Sequence, residues 1–96
     1  MTKKDIEIRC KELITDNLWE FLRNEDKKWL IENVLKYHSE WNWYASRKIL
    51  GIKPELNTQQ YNTKCFFIYF KDGTKSDISY KKCIRNIPKE KLKNQD

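Results

Sequence analysis

The stretch Lys64–Ile84, KCFFIYFKDGTKSDISYKKCI, contains the residues that decide the fold. Residues 65–70 form a run of β-branched and aromatic side chains that is typical of a strand, and residues 74–79 form a second run of strand type. Residues 71–73, Lys-Asp-Gly, lie between the two runs and are typical of a hairpin turn. The stretch therefore predicts an antiparallel β-hairpin.

Two registers of this hairpin are possible, and they bury different side chains because a shift of one residue turns a strand over. A two-residue Asp-Gly turn pairs Phe70 with Lys75. A type I turn with Gly73 in the left-handed bulge position pairs Phe70 with Thr74 instead. The bulged register collects the apolar residues on one face (Phe66, Ile68, Phe70 and Ile78) and leaves the other face to Cys65, Phe67, Tyr69, Lys75, Asp77 and Ser79. Since a one-sided sheet sorts its residues in this way, we expect the bulged register.

The rest of the chain predicts two helices and a strand before the hairpin, and a short helix after it. The first helix is expected from Lys3 to Ile14 with Thr2 as its cap, because apolar residues recur there at helical spacing. The second is expected from an Asn24 cap to about His38. Residues 48–53 predict a strand that Pro54 ends, residues 18–22 a compact apolar connector, and residues 57–62 a polar loop.

Ser79 is a good cap for the last helix, which Pro88 keeps short. The order α–α–β–β–β–α predicts an α+β fold in which the helices pack on one face of a small three-stranded antiparallel sheet, with a short C-terminal helix. A chain of 96 residues is too short for a second core, so we expect a single domain over residues 1–88 and a charged tail at residues 89–96.

The net charge of +6 is unevenly distributed along the chain. Residues 1–60 carry eleven Lys and Arg against ten Asp and Glu, whereas residues 61–96 carry nine against four. The hairpin and the final helix therefore hold most of the excess positive charge. This asymmetry indicates contact with a polyanion, or a solvated basic surface.

Other classes of function lack support in the sequence. No run of apolar residues is long enough to cross a membrane, and the N-terminus has no signal or transit peptide, so we expect an intracellular, cytoplasmic protein. The three cysteines, Cys10, Cys65 and Cys83, form no CxxC pair, and His38 is the single histidine. We therefore expect free thiols, no metal and no cofactor. Because no catalytic triad, phosphate loop or acidic cluster occurs, we expect no enzyme and no small-molecule substrate.

Two surfaces are candidates for binding. The first combines the aromatic residues of the open sheet face with the basic residues that surround the hairpin, a combination that single-stranded RNA recognition uses: Lys64, Phe67, Tyr69, Lys71, Lys75, Lys81, Lys82 and Arg85. The second is the aromatic cluster Trp41, Trp43 and Tyr44. This cluster either packs as a lid on the core or forms a surface that binds a partner or stacks bases.

The hairpin and the helix after it resemble the DeCL family, named for defective chloroplasts and leaves. The matching residues are Cys65, Phe66, Asp72, Gly73, Thr74, Asp77, Ser79, Tyr80, Lys82, Cys83 and Ile84. The resemblance implies a non-catalytic RNA-binding accessory module, in ribosomal RNA maturation or an RNA-linked complex, and it supplies no catalytic residues. The alternative is a protein-interaction adaptor that docks on a transcription- or ribosome-related assembly through residues 41–44.

Overall fold

The computed structural model describes residues 1–58 and 61–92. This part of the chain contains four α-helices and a three-stranded antiparallel sheet. The helices are α1 (Lys3–Asn17), α2 (Asn24–Asn33), α3 (Trp41–Ser46) and α4 (Tyr80–Arg85). The strands β1 (Ile49–Asn57), β2 (Thr63–Phe70) and β3 (Lys75–Ile78) lie in the order β1-β2-β3. Short 3-10 turns occupy Leu35–Tyr37 and Lys89–Lys91. The α+β fold, with helices on one face of a small antiparallel sheet, is confirmed.

The hairpin has the bulged register that the sequence predicts. Phe66 pairs with Ile78 and Ile68 with Ser76. The amide of Phe70 donates to the carbonyl of Thr74 at 2.9 Å, and the amide of Gly73 donates to the carbonyl of Phe70 at 3.1 Å. Gly73 has a φ of 92°, which only glycine adopts without strain. The apolar side chains of β2 and β3 consequently point at the helices.

The turn between β2 and β3 is fixed by Asp72. Its carboxylate accepts hydrogen bonds from the amide of Thr74 at 2.9 Å and from the Thr74 hydroxyl at 2.6 Å. Arg47, which follows α3, donates to the same carboxylate at 2.6 Å and to the Thr74 hydroxyl at 2.8 Å. The bonds from Thr74, followed by the bond from Arg47, lower the pKa of Asp72 to about 2. The turn is thereby tied to the end of α3.

The core lies between α1, α4 and the inner face of the sheet. Helix α1 begins with a capping box, in which Thr2 Oγ1 accepts from the Asp5 amide at 3.1 Å and the Asp5 carboxylate accepts from the Thr2 amide at 3.0 Å. The apolar residues that recur at helical spacing in α1 are buried, as predicted: Ile6, Cys10, Leu13 and Ile14. The helix continues to Asn17, beyond the expected end at Ile14, because the Asn17 side chain donates back to the Leu13 carbonyl at 2.9 Å instead of breaking the helix.

The second helix differs from the prediction at both ends. Its cap position is Arg23, without a side-chain hydrogen bond, and Asn24 is the first helical residue. The helix ends at Asn33 because Val34 leaves the helical region, with φ −135° and ψ −65°. Val34 and Leu35 are nevertheless fully buried. Burial of these two side chains extends the apolar pattern past the end of the helix, which explains the overlong prediction.

Strand β1 was wrongly expected to end at Pro54; it runs three residues further. The carbonyls of Ile52 and Pro54 accept from the amides of Leu22 and Trp19 at 2.9 and 2.8 Å, so the backbone polar groups of these two residues face away from β2. The missing N–H of Pro54 therefore costs no hydrogen bond within the sheet. The predicted connector turns at residues 18–20 and then covers the outer edge of β1, which shields that edge from other chains.

The last described residues stay on the core. Leu92 follows the 3-10 turn and is buried among the core side chains. Of the predicted charged tail, residues 93–96 lie outside the described residues, as do residues 59 and 60 of the predicted polar loop.

Candidate nucleic-acid interface

The face of the sheet that points away from the helices, called the outer face below, carries the aromatic part of the candidate site. Alternation along β2 buries Phe66, Ile68 and Phe70 and leaves Phe67 and Tyr69 partly exposed. Gly51, Lys53 and Glu55 of β1 share the outer face, because Gly51 pairs with Tyr69 and Lys53 with Phe67. Lys75 and Asp77 of β3 join it as the partners of Tyr69 and Phe67.

An aromatic pair occupies one end of the outer face. Phe21, from the cover on the edge of β1, meets Tyr69 edge to face, with ring centroids 5.1 Å apart and ring planes at 74°. The pair depends on Gly51, since a Cβ there would lie 2.8 Å from Cδ1 of Phe21. Phe67 adds a third ring beside them. These rings offer flat apolar surface on an otherwise polar face.

Two lysines lie over these rings. The ammonium of Lys53 is 4.4 Å from the centroid of Phe21 and 4.8 Å from that of Tyr69. The ammonium of Lys75 is 4.9 Å from the centroid of Phe67 and 5.4 Å from that of Tyr69. Both contacts lie within the range of cation–π attraction. Any base that stacks on these rings must therefore displace a lysine.

Glu55 distinguishes the two lysines. Its side chain is 4% exposed and accepts hydrogen bonds from the Tyr69 hydroxyl and from the Lys75 ammonium, the latter at 2.8 Å. Burial alone would raise the pKa of Glu55, but the hydrogen bonds from Lys75 and Tyr69 and the nearby lysine charges outweigh it and lower the pKa. Lys75 is thus held by a buried carboxylate. Lys53 forms no salt bridge among the described residues.

The structure distributes the predicted basic residues over four places instead of one patch. Lys75 lies on the outer face with Phe67 and Tyr69. Lys71 lies beside the turn, where its amide donates to the Lys48 carbonyl at 2.8 Å. Lys64 and Lys81 line a cavity at the opposite end of the hairpin, and Lys82 and Arg85 line another beside His38. The charge of the C-terminal third therefore does not converge on the outer face.

The second predicted surface is reduced to a single exposed ring. Tyr44 is buried, stacks on Phe70 with centroids 6.4 Å apart, and donates from its hydroxyl to the Asp77 carbonyl at 3.5 Å. Trp41 is half-buried against the core. Trp43 is 53% exposed, and the guanidinium of Arg47 lies 5.0 Å from its ring.

Sequence reasoning missed three residues of the outer face: Phe21, Lys53 and Glu55. Phe21 comes from a segment that lies far from the hairpin in sequence and reaches it only through the edge of β1. Glu55 lies beyond Pro54, the predicted end of the strand, and Lys53 lies inside the predicted strand but is not assigned to the open face there. The signal was the alternation of apolar and polar residues that continues through Pro54, in Ile52, Lys53, Glu55 and Leu56.

The cysteines are free thiols in the structure. Cys10 and Cys83 are fully buried and Cys65 is half-buried. The described residues contain no group of three His, Cys, Asp or Glu side chains able to hold a metal ion. Within residues 1–58 and 61–92, no helix has the length and the apolar character needed to cross a membrane.

Comparison with known proteins places the chain in a family. The model of a family described as "Protein of unknown function (DUF3223)" matches residues 13–84, and the chain belongs to that family. The chain is also similar to DNA-directed RNA polymerase V subunit 1 of Arabidopsis thaliana, with 28% identity over 65 residues. This match covers 68% of the chain and 3% of the plant subunit. No solved structure is significantly similar to the chain.

The resemblance to the DeCL family is therefore wrong, because the family that matches is an uncharacterised one. The residues that suggested it have local structural tasks. Asp72, Gly73 and Thr74 build the turn, and the Ser79 hydroxyl accepts from the Lys82 amide at 3.4 Å to cap α4. A hairpin followed by a capped helix demands such residues in any chain, so their presence does not identify a family.

Proposed function

We propose that this member of the DUF3223 family is a non-catalytic module that binds single-stranded RNA on the outer face of its sheet. The observation that carries the proposal is the arrangement of Lys53 over Phe21 and Tyr69, with Phe67 beside them. Proteins bind single strands by stacking bases on aromatic rings while cations meet the phosphates. The outer face carries both the aromatic rings and a lysine, because Lys53 of β1 lies next to Phe67 and Tyr69 of the neighbouring strand β2.

The exchange of a lysine for a base is favourable on these rings. An exposed cation–π contact is worth about 0.5–1 kcal/mol. Stacking of a base on an aromatic side chain is worth about 1–3 kcal/mol. A base that displaces Lys53 from Phe21 and Tyr69 breaks two such contacts, about 1–2 kcal/mol together. Stacking of the base and the new contact between the released ammonium and the adjacent phosphate together offset this loss.

Lys75 has a different part in the proposal. Its partner Glu55 is buried, and withdrawal of the ammonium would leave a buried carboxylate without its ion pair. Lys75 therefore remains with Glu55 and holds the Tyr69 hydroxyl in position. Further phosphates would meet Lys48 and Lys71, which lie side by side at the turn end of the sheet.

The comparison with known proteins supports the broad class of this proposal. The plant relative is, as its name says, a subunit of an RNA polymerase, and the similar segment is a small part of it. A nucleic-acid-associated protein complex is the setting that this similarity suggests for the present chain. No particular RNA is implied, because the resemblance that suggested ribosomal RNA maturation is wrong.

The test is a titration of fluorescently labelled single-stranded RNA with the whole chain at two salt concentrations. Phe21→Ala should weaken binding by about tenfold, since it removes a stacking ring without opening the core. Phe67→Ala should weaken binding less, because Lys75 stays with Glu55 and lies over the Phe67 ring. Lys53→Gln should reduce the slope of log affinity against log salt by about 0.7, the share of one phosphate on a single strand.

The matched control is Trp43→Ala, which removes an exposed ring away from the outer face and should leave RNA affinity unchanged. A wild-type chain that fails to bind RNA at low salt would contradict the proposal. So would a series in which Trp43→Ala alone weakens binding, because the RNA would then contact the exposed ring of α3 and not the outer face.

A further inference from the structure

A cleft lies at the end of the hairpin remote from the turn, separate from the rings of the outer face. It has a volume of about 540 Å³ and is bordered by α1, the start of β2, the end of β3 and the start of α4. Ile14, Ile78 and Tyr80 form its apolar floor, each at least nine-tenths buried. Small-molecule sites in proteins have this size and combine an apolar floor with few polar groups.

Three lysines from three different elements line this cleft: Lys11 of α1, Lys64 of β2 and Lys81 of α4. Lys11 forms an ion pair with Glu7 at 3.2 Å. Lys64 and Lys81 form neither a salt bridge nor a side-chain hydrogen bond with any residue that the structure describes. Asp77 is the one carboxylate residue in the described lining of the cleft, so three lysines outnumber it, and a ligand of negative charge relieves the repulsion among the lysines.

The hydroxyl of Tyr80 adds an independent observation. Tyr80 is 7% exposed, and its ring packs edge-on against Phe66 with centroids 5.9 Å apart. Its hydroxyl has no hydrogen-bond partner in the described part of the chain. Since every fully enclosed side-chain polar atom there has a partner, the Tyr80 oxygen retains access to solvent, and Tyr80 is one of the residues that line the cleft. A nearly buried donor without a partner is costly unless a ligand or water satisfies it.

We infer that this cleft binds one nucleoside monophosphate unit, with the base on Ile14 and Ile78 and the phosphate between Lys64 and Lys81. The apolar floor suits the flat face of a base, and two unpaired ammonium groups balance a phosphate dianion. The Tyr80 hydroxyl donates to a phosphate or sugar oxygen, and the hydroxyls of Thr15 and Thr63 line the remaining wall for the sugar. The unit comes either from a free nucleotide or from the end of an RNA strand. The inference does not depend on stacking at the outer face.

The test is a titration of the isotopically labelled whole chain with adenosine monophosphate, followed by amide resonances. The expected result is a saturable shift confined to residues that border the cleft. The combined variant Lys64→Gln/Lys81→Gln should weaken binding by about tenfold or more, because hydrogen bonds to a phosphate from charged donors are strong. Tyr80→Phe removes only the hydroxyl and should weaken binding severalfold. Lys28→Gln changes an exposed lysine of α2 outside the cleft, so it is the matched control and should bind as the wild type does.

Adenosine and inorganic phosphate serve as separate probes of the two halves of the ligand. Each should bind about tenfold more weakly than the nucleotide; equal binding of either would overturn the inference, as would the absence of shifts at about 10 mM nucleotide. An RNA strand with a 5′-phosphate, compared with the same strand ending in a hydroxyl, distinguishes the sources. Preference for the phosphorylated end supports a strand terminus, and binding of the free nucleotide alone supports a small ligand. Phe67→Ala should leave nucleotide binding unchanged, which separates this test from that of the outer face.

Discussion

Replacement of Lys75 by Gln should destabilise the fold, because it leaves the carboxylate of Glu55 buried without its ion pair. The Glu55 side chain is 4% exposed and that of Lys75 is 47% exposed, with 2.8 Å between Nζ and Oε1. Removing one partner of a fully buried pair costs about 3–5 kcal/mol, whereas an exposed pair contributes about 0–1 kcal/mol. Since water reaches one side of this pair, we expect the free energy of unfolding to fall by about 1–2 kcal/mol.

The loss of unfolding free energy in Lys75→Gln should depend on pH, because the pKa of Glu55 differs between the two proteins. In the wild type this pKa lies below the ordinary value of 4.5, so the carboxylate contributes stability above that pH and loses it as the pH falls through the folded-state pKa. In Lys75→Gln the burial of Glu55 remains while its strongest partner is gone, so the pKa of Glu55 should rise. The difference in stability between the two proteins should therefore be largest near neutral pH and shrink towards about pH 4.

Urea unfolding followed by tryptophan fluorescence measures both effects. Lys71→Gln is the matched control, since Lys71 is exposed and forms no salt bridge among the described residues; its effect should stay within about 0.5 kcal/mol. The double variant Glu55→Gln/Lys75→Gln removes both charges and should recover part of the loss. If Lys75→Gln were no more destabilising than Lys71→Gln at neutral pH, the buried ion pair would have no energetic role. If the destabilisation by Lys75→Gln were the same at neutral pH and at about pH 4, it would not come from the charge of Glu55.

Other expected outcomes concern the core, the thiols and the turn. Phe66→Ala should cost about 3–5 kcal/mol, because the ring is fully buried, and a melting temperature close to that of the wild type would contradict this. Burial raises the pKa of Cys10 to about 12 and those of Cys65 and Cys83 to about 11. Since Cys10 and Cys83 are fully buried and Cys65 is half-buried, iodoacetamide should modify the native protein first at Cys65, as mass spectrometry would show. Because these folded-state pKa values exceed the ordinary value of 9.0, the stability contributed by the protonated thiols should be lost as the pH rises above 9, and Cys10→Ala should reduce that alkaline loss in thermal melts. Asp72→Asn should reduce stability at neutral pH and remove the part of acid destabilisation that falls between pH 3.8 and about 2, where Asp72 titrates; an unchanged acid melting curve would count against the role of the turn.

The hairpin could be predicted because its information is local. Phe66, Ile68 and Phe70 alternate with polar or exposed positions, and Gly73 fits a positive φ, so register and buried face follow from adjacent residues. The capping box at Thr2 is local in the same sense. In both cases the interacting groups are at most twelve residues apart in the sequence.

The extent of β1 could not be predicted because it depends on contacts that are distant in sequence. Pro54 is tolerated inside the strand only because its carbonyl accepts from the amide of Trp19 on the side away from β2. Nothing near Pro54 in the sequence reports that contact. Because of this error, the predicted sheet lacks Glu55, which is the ion-pair partner of Lys75.

Contacts that are distant in sequence also explain why the predicted basic residues do not form one patch in the structure. A count of charges along the chain treats each lysine as free, but the electrostatic effect of a lysine depends on what lies within a few ångströms of its ammonium. Glu55 holds Lys75, which the count had placed among the cations available to a polyanion. Lys53 belongs to the half of the chain with almost balanced charge, yet it forms no salt bridge among the described residues and lies over two rings. Pairing, which only the fold reveals, therefore decides which cation can meet a phosphate.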